Sequence, residues 1–202
     1  MVQFVWAIAV GAQGCPPSPL FNVAHFGTED GLPDRQVLSL EQDQRGHIWL
    51  ATSAGLVRFD GYDFEIYTRK DGLLADPVVR LLRDSDGLLW LEHPDHAYSI
   101  FDPLTGQARS LADHFQDQLP AEASPPLLSM HWSPDGSILL GSGNHLLSYQ
   151  SAAAGFSVHT VLNATALVPV HRGTNGDIFC LARMGGPGPH HSLVKIPATA
   201  LE

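Results

Sequence analysis

The stretch DGLPDRQVLSLEQDQRGHIWLATSAGLVRFD, residues 30–60, returns as DGLLADPVVRLLRDSDGLLWLEHPDHAYSIFD at residues 71–102. Asp30-Gly31-Leu32 answers to Asp71-Gly72-Leu73, Asp43 and Gly46 to Asp84 and Gly87, and Trp49 to Trp90, each pair 41 positions apart. A constant offset held through several landmarks marks an internal repeat. Two degenerate copies follow, introduced by Ser133-Pro134-Asp135-Gly136 and by Thr174-Asn175-Gly176. The turn glycines Gly46, Gly87, Gly136 and Gly176 are thus spaced by 41, 49 and 40 residues, and a polar, proline-containing loop at 113–126 accounts for the long interval. Units of this length holding several strands each are the mark of propeller blades.

Alternation of apolar and polar residues places the strands inside each unit. In the first, strands are expected at 37–42, 47–52, 56–59 and 62–67, with Tyr62, Phe64 and Ile66 on one face of the last. Turns fall at Asp43 to Gly46, at Gly55 and at Asp60-Gly61, where glycine reaches backbone angles closed to other residues. The second unit repeats this at 78–83, 88–92, 97–101 and 107–111. The expected fold is therefore all-β, a β-propeller of four-stranded antiparallel blades. About four blades are present, in repeats at 30–69, 70–111, 124–163 and 164–202, forming residues 21–202 into part of a larger propeller. A closed four-blade ring, with the strand at 21–26 completing the last blade, is the arithmetic alternative.

Composition agrees. Charged residues make up 16% of the chain, against 19 glycines and 15 prolines, a balance suited to short strands and tight turns. With 11 Lys+Arg against 21 Asp+Glu the formal net charge is −10, which disfavours nucleic acid and anionic membrane surfaces as partners. Residues 4–10 (FVWAIAV) form an apolar run followed by Gly11, Ala12, Gly14 and Cys15. This reads as a secretory leader over 1–15 that lacks its basic start, or as a lipoprotein leader with Cys15 as the lipidated residue; a buried strand is the competing reading. Cys180, between Phe179 and Leu181, reads as a small buried hydrophobe, and a Cys15–Cys180 disulfide has no supporting pattern.

The landmarks Asp43, Gly46, Ile48, Trp49, Leu50, Thr52, Gly55, Leu56, Phe59, Asp60 and Gly61, with Ala51 where a glycine is usual, resemble the two-component regulator propeller repeat. The likeness is specific over 21–69, good over 70–111 and confined to turn and strand rhythm beyond 124. It implies a periplasmic or otherwise extracytoplasmic sensor region of a two-component-type signalling protein. In that family a β-sandwich, a transmembrane helix and a histidine kinase, diguanylate cyclase or DNA-binding output follow the propeller, and oligosaccharides are common ligands.

The repeat residues Asp43, Gly46, Trp49, Thr52, Gly55, Leu56, Asp60, Gly61, Asp84, Gly87 and Trp90 are read as structural, the tryptophans filling the wedge between blades. No catalytic residue, metal site or cofactor is assigned. His93 and His96, and His190-His191, lack partners at a metal-binding spacing and are expected in exposed loops. The glycine-rich stretch 185–189 lacks the Lys-Ser/Thr of a phosphate loop. Glu41, Asp43, Asp84 and Asp86 carry no spacing that defines a glycosidase pair. The leading reading is a non-catalytic sensor that takes a small molecule or oligosaccharide on loops at one end of the propeller, the candidates being 52–55, 93–96, 142–144 and 184–191. A carbohydrate-active lyase or glycosidase on the same scaffold, and a pure interaction module, are the alternatives; a homodimer stays open.

Overall fold

The structure, a computed structural model, describes residues 2–8, 20–115, 127–133, 136–151, 155–162, 164–185 and 190–198. A single turn, used four times, generates the fold. Asp43 N donates to His47 O and Gly46 N to Asp43 O; Asp84, Ser133 and Gly173 open turns with the same pair of bonds. Gly46, Gly87, Gly136 and Gly176 close them at φ of 89°, 89°, 84° and 85°. A side chain is strained at such angles, so the glycine survives in all four copies while its neighbours drift.

Around these turns stand four antiparallel sheets. Blade 1 is β3 (Val37–Gln42), β4 (Ile48–Thr52), β5 (Gly55–Phe59) and β6 (Phe64–Tyr67). Blade 2 is β7 (Arg80–Arg83), β8 (Leu89–Glu92), β9 (Tyr98–Asp102) and β10 (Gln107–Ser110). Blade 3 is β11 (Leu127–Trp132), β12 (Ile138–Ser142), β13 (His145–Tyr149) and β14 (Phe156–Thr160). Blade 4 is described as three strands, β15 (Ala164–Arg172), β16 (Ile178–Met184) and β17 (His190–Ile196). First strands of adjacent blades lie side by side, β3 against β7 and β11 against β15, as in a propeller whose inner strands surround an axis. The sheets do not close on one another, and the chain is a partial β-propeller.

The core is the set of blade interfaces. The first interface buries Trp49, Leu56, Leu89, Leu91 and Phe101, together with Leu73 from the linking segment. The second buries Trp90, Tyr98, Leu140, Leu147 and Tyr149, and the third Leu139, Leu146, Ile178, Cys180 and Ile196. Trp49 and Trp90 occupy like surroundings. Both are fully buried, and each meets an aromatic at the same place on the following blade, Phe101 at 5.0 Å and Tyr149 at 5.1 Å between ring centroids.

Several expectations need correction. Leu111 does not extend β10: it opens a short helix, α1 (Leu111–Phe115), whose Leu111 and Phe115 are buried. Asp113 N donates to Ser110 Oγ and caps it. Phe115 enters the second interface beside Trp90, Tyr149 and Phe156, so an apolar plug replaces the start of the expected polar loop; residues 116–126 lie outside the described ones. Tyr62 is a turn residue, 89% exposed, because Asp60 Oδ1 accepts from both Tyr62 N and Asp63 N and holds the chain in the turn until Phe64. Residues 21–26 do not complete the last blade; they lie in β2 (Leu20–Phe26), which pairs antiparallel with β1 (Val2–Ile8). The fourth, at His93, belongs to the site below. Residues 4–8 of the run read as a leader core thus lie in β1, while the rest of that run and Cys15, and with it the lipidation and disulfide readings, lie outside the described residues.

Candidate functional site

Each repeat landmark sits where it shapes the scaffold. Asp43 Oδ2 accepts from Trp49 Nε1 at 2.9 Å, and Asp84 Oδ2 from Trp90 Nε1 at 2.8 Å. Their other oxygens take backbone N–H groups of the turn, Arg45 and His47 in blade 1, Asp86 and Leu88 in blade 2. The turn carboxylate therefore satisfies the indole that would otherwise bury an unpaired donor. Where the tryptophan is absent the carboxylate is absent too. Leu139 stands in the tryptophan register of blade 3 and Phe179 in that of blade 4, and their turns open with Ser133 and Gly173. Thr52 Oγ1 donates to Gly55 O, Leu56 is fully buried, and a Cβ on Gly55 would lie 2.3 Å from Tyr67 O. Gly61 turns the β5–β6 hairpin at φ 106°.

The four candidate loops are all second-to-third-strand connections of like-built blades, so they share one end of the propeller. Two adjoining clefts, of about 180 and 190 Å³, lie at the opposite, turn-bearing end and share Leu88 and Asp102. They fall short of the roughly 300 Å³ of small-molecule pockets. Asp43 and Asp102 in their walls already hold their own turns.

At the loop end, blade 2 departs from blade 1. Thr52 pairs directly with Gly55, leaving a two-residue turn, and Ser142 pairs likewise with His145. Glu92 pairs with Tyr98, so five residues bridge β8 and β9. His93 pins them. Far from being exposed, it is 1% accessible, with Nδ1 2.9 Å from Pro77 O and Nε2 2.7 Å from Ser99 Oγ. The carbonyl can only accept, so Nδ1 carries the proton and Nε2 accepts from Ser99. Burial holds the imidazole below the usual histidine range. Above this anchor Asp95 and His96 take φ of 61° and 55°, a conformation that costs non-glycine residues of the order of 1–3 kcal/mol each. Such strain persists where the surrounding structure enforces it.

The pinned loop presents polar groups together. His96 Nδ1 lies 3.5 Å from Glu92 Oε1, and Arg80 Nε lies 3.9 Å from Glu92 Oε2. Arg80 Nη1 also donates to Met130 O across the blade boundary. Glu92 is mostly buried while Arg80 and His96 are exposed. Tyr98 OH is buried beneath them without a hydrogen-bond partner, and burial pushes its phenol well above the usual range. This group offers a carboxylate, a guanidinium and an imidazole to a polar ligand. It does not offer a nucleophile: Ser99 Oγ has a histidine at bonding distance, but Ser99 is fully buried, and no substrate carbonyl reaches it. Among the described residues no three His, Cys, Asp or Glu side chains gather as a metal site. His190 and His191 are exposed, but they open strand β17 rather than lying in the loop expected for them, and residues 186–189 lie outside the described residues. No motif or spacing in the sequence marks this anchor.

Residues 31–54 match the family model described as two component regulator propeller. A histidine kinase, P4, from Formosa agariphila is 43% identical over 47 residues, which is 23% of this chain and 3% of that protein. In fold, the chain is similar to a structure described as the extracellular domain of a hybrid two component system, BT4673, from B. thetaiotaomicron, with TM-score 0.60 and 16% identity over 82% of this chain and 23% of that one. A second BT4673 extracellular-domain structure matches with TM-score 0.50 and 13% identity, over 85% of this chain and 30% of that one. The chain spans less than a third of the length of each of these relatives. It is a stretch of β-propeller that resembles the two-component regulator propellers, in sequence over its first repeat and in fold over most of its length.

Proposed function

We propose that this propeller stretch is an extracytoplasmic sensor region of a two-component-type signalling protein, non-catalytic in itself, that takes a small polar ligand or oligosaccharide at its loop end. The observation that carries the reading is the five-residue connection of blade 2, buried at His93, strained at Asp95 and His96, and set beside Glu92 and Arg80. A sensor needs a rigid surface that recognises without transforming. Packed blades provide the rigidity, and an enforced loop provides preorganised polar groups. Kinship with a histidine kinase repeat and with extracellular two-component domains supports the setting. Among the described residues no helix is long and apolar enough to cross a membrane.

Thermal-shift screening of the chain against a library of neutral and uronic oligosaccharides and small polar metabolites tests this. The expected result is a ligand that raises the melting temperature without being consumed, and whose effect is lost in Glu92→Gln and His96→Ala. Product formation would overturn the non-catalytic reading. A stabilising ligand indifferent to both substitutions would move the site elsewhere.

A further inference from the structure

The inner strands of blades 2 and 3 are joined differently from those on either side. Ser39 Oγ donates to Leu81 O at 3.3 Å and ties β3 to β7. By strand register Arg80 stands at the position of Ser39, and Met130 at that of Leu81. There Arg80 Nη1 donates to Met130 O at 3.2 Å, so the equivalent carbonyl is reached by a much longer side chain. Among the described residues, β7 and β11 do not pack side by side as β3 does on β7 and β11 on β15. Arg80 therefore spans a groove between two inner strands. Both strands lie inside the stack, with blade 1 on one side and blade 4 on the other.

Strand alternation sets the walls of the groove. Arg80 and Leu82 point from β7 toward blade 3, and Met130 and Trp132 point from β11 toward blade 2; Leu82 and Met130 join the second interface and form the floor. Trp132 is 43% exposed, whereas Trp49 and Trp90 are fully buried. The other inner strands carry Gln42, Arg83 and Arg172 at its position, so the scaffold itself does not call for an aromatic there. Residues two apart on a strand share a face at about 7 Å. That is the spacing from Trp132 to Met130, whose carbonyl Arg80 grips, and a single six-membered ring fills it.

The polar groups define what such a ring carries. Arg80 turns Nε toward Glu92 Oε2 at 3.9 Å and Nη1 to Met130 O, which leaves Nη2 to solvent on a half-exposed side chain. A guanidinium edge of this kind suits a carboxylate. Glu92 is mostly buried, and Arg80 and His96 already face its charge; toward a ligand it acts as an acceptor for hydroxyl groups. His131 is held below the usual histidine range, first by burial and then by His171 and Arg80, so it adds no full charge at neutral pH. We infer that the β7–β11 groove binds a hydroxylated ring acid, with the bare C–H face of the ring on Trp132, its carboxylate on Arg80 and its hydroxyls on Glu92 and His96. Arg80 is then the residue that selects an acid over the corresponding neutral ring. This rests on the loop end being the ligand site, and adds to it the groove and the charge of the ligand.

Isothermal titration at about pH 7 with glucuronate, glucose and cyclohexanecarboxylate tests it, with tryptophan emission followed alongside. Glucuronate is expected to bind at least about tenfold more tightly than the probe lacking its carboxylate or the probe lacking its hydroxyls, the scale of one charged hydrogen bond. Arg80→Gln should bring glucuronate to the level of glucose, and Arg80→Lys, which keeps the charge but not the forked reach, should fall between. Trp132→Ala should weaken glucuronate and glucose alike and abolish the emission change. Circular dichroism melts check that each variant folds; should Arg80→Gln not fold, Arg80→Lys carries the comparison. Equal binding of glucuronate and glucose would overturn the inference, as would no saturable binding of any probe. A ligand that depends on Glu92 and His96 yet ignores Arg80 and Trp132 would overturn the groove and leave the loop-end site in place. Turnover of glucuronate that depends on Arg80 and Trp132 would uphold the groove and overturn only the non-catalytic reading.

Discussion

Replacing Asp84 by Ala tests the role given to the turn carboxylate. Asp84 is 3% exposed and accepts from Trp90 Nε1 at 2.8 Å, Leu88 N at 2.9 Å and Asp86 N at 3.0 Å. Hydrogen bonds to a charged group are worth about 1.5–3 kcal/mol, and a buried donor left without an acceptor costs about 1–3 kcal/mol. Asp86 is exposed and Leu88 half-buried, so water rescues their amides, and the stranded indole dominates. Against this, burial itself penalises the carboxylate: desolvation outweighs the bonds from Trp90 and Leu88 and raises its pKa. Its removal recovers part of the loss. The net is a destabilisation of about 2–3 kcal/mol, or roughly 4–12 °C in melting temperature at about 2–4 °C per kcal/mol for a domain this size. Circular dichroism melts of Asp84→Ala, Trp90→Phe and the double variant measure it. The single losses should not add, because either one removes the same bond. The converse, Ser133→Asp, places a carboxylate in blade 3 where the Leu139 side chain has no N–H to donate, and should destabilise. An Asp84→Ala protein melting within about 1 °C of the parent, or strict additivity, would refute the reasoning.

Other outcomes follow from burial. Burial holds His93, His114, His131 and His159 below the usual histidine range, so the unfolded chain binds protons near pH 6.5 that the folded chain refuses. Stability from these groups is whole above about pH 6.5 and lost as pH falls, and urea titrations between pH 7 and 5 should show a shallower decline in His93→Gln. A Cβ on Gly141 would lie 1.9 Å from Leu167 O, backbone of the neighbouring blade; Gly141→Ala should therefore lower the melting temperature and loosen the third interface, read by hydrogen exchange in β15. Leu73→Ala empties the first interface and should cost about 2–5 kcal/mol in denaturant unfolding. Cys180 is fully buried, with its thiol pushed up to about 11; it should resist a thiol reagent in native buffer and react once the chain is unfolded.

Features that repeat were legible in the sequence, and features that occur once were not. The turn glycines, the two tryptophans and the alternation around them reveal blades because four copies average out local ambiguity. The anchoring of His93 happens in one blade, through a carbonyl 16 residues upstream and a hydroxyl six residues downstream. Lying between two strands, His93 reads as an exposed loop residue, and nothing in the spacing contradicts that. Helix α1 did leave a signal, Ser110 as cap followed by Leu111 and Phe115 on one face, but the surrounding polar, proline-rich residues masked it. Tyr62 was misplaced because alternation alone cannot tell a strand's first residue from a turn held by Asp60.

The coupling between turn carboxylate and indole explains why the later repeats fade all at once rather than gradually. In blades 1 and 2 the tryptophan needs an acceptor, and the aspartate, partly buried, needs a donor; each makes loss of the other costly. Once Leu139 or Phe179 fills the wedge, nothing holds the aspartate, and Ser133 and Gly173 appear in its place. Two landmarks vanish together while the positive-φ glycine stays, because the backbone path still demands it. A family pattern built on both landmarks would then fall silent over blades that are geometrically intact. Blade 2 keeps both landmarks yet lies outside the match at residues 31–54; there the five-residue β8–β9 connection replaces the two-residue turn of blade 1. Restoring Asp and Trp together at positions 133 and 139 should therefore be better tolerated than either alone, a coupling that a double-mutant cycle reads directly.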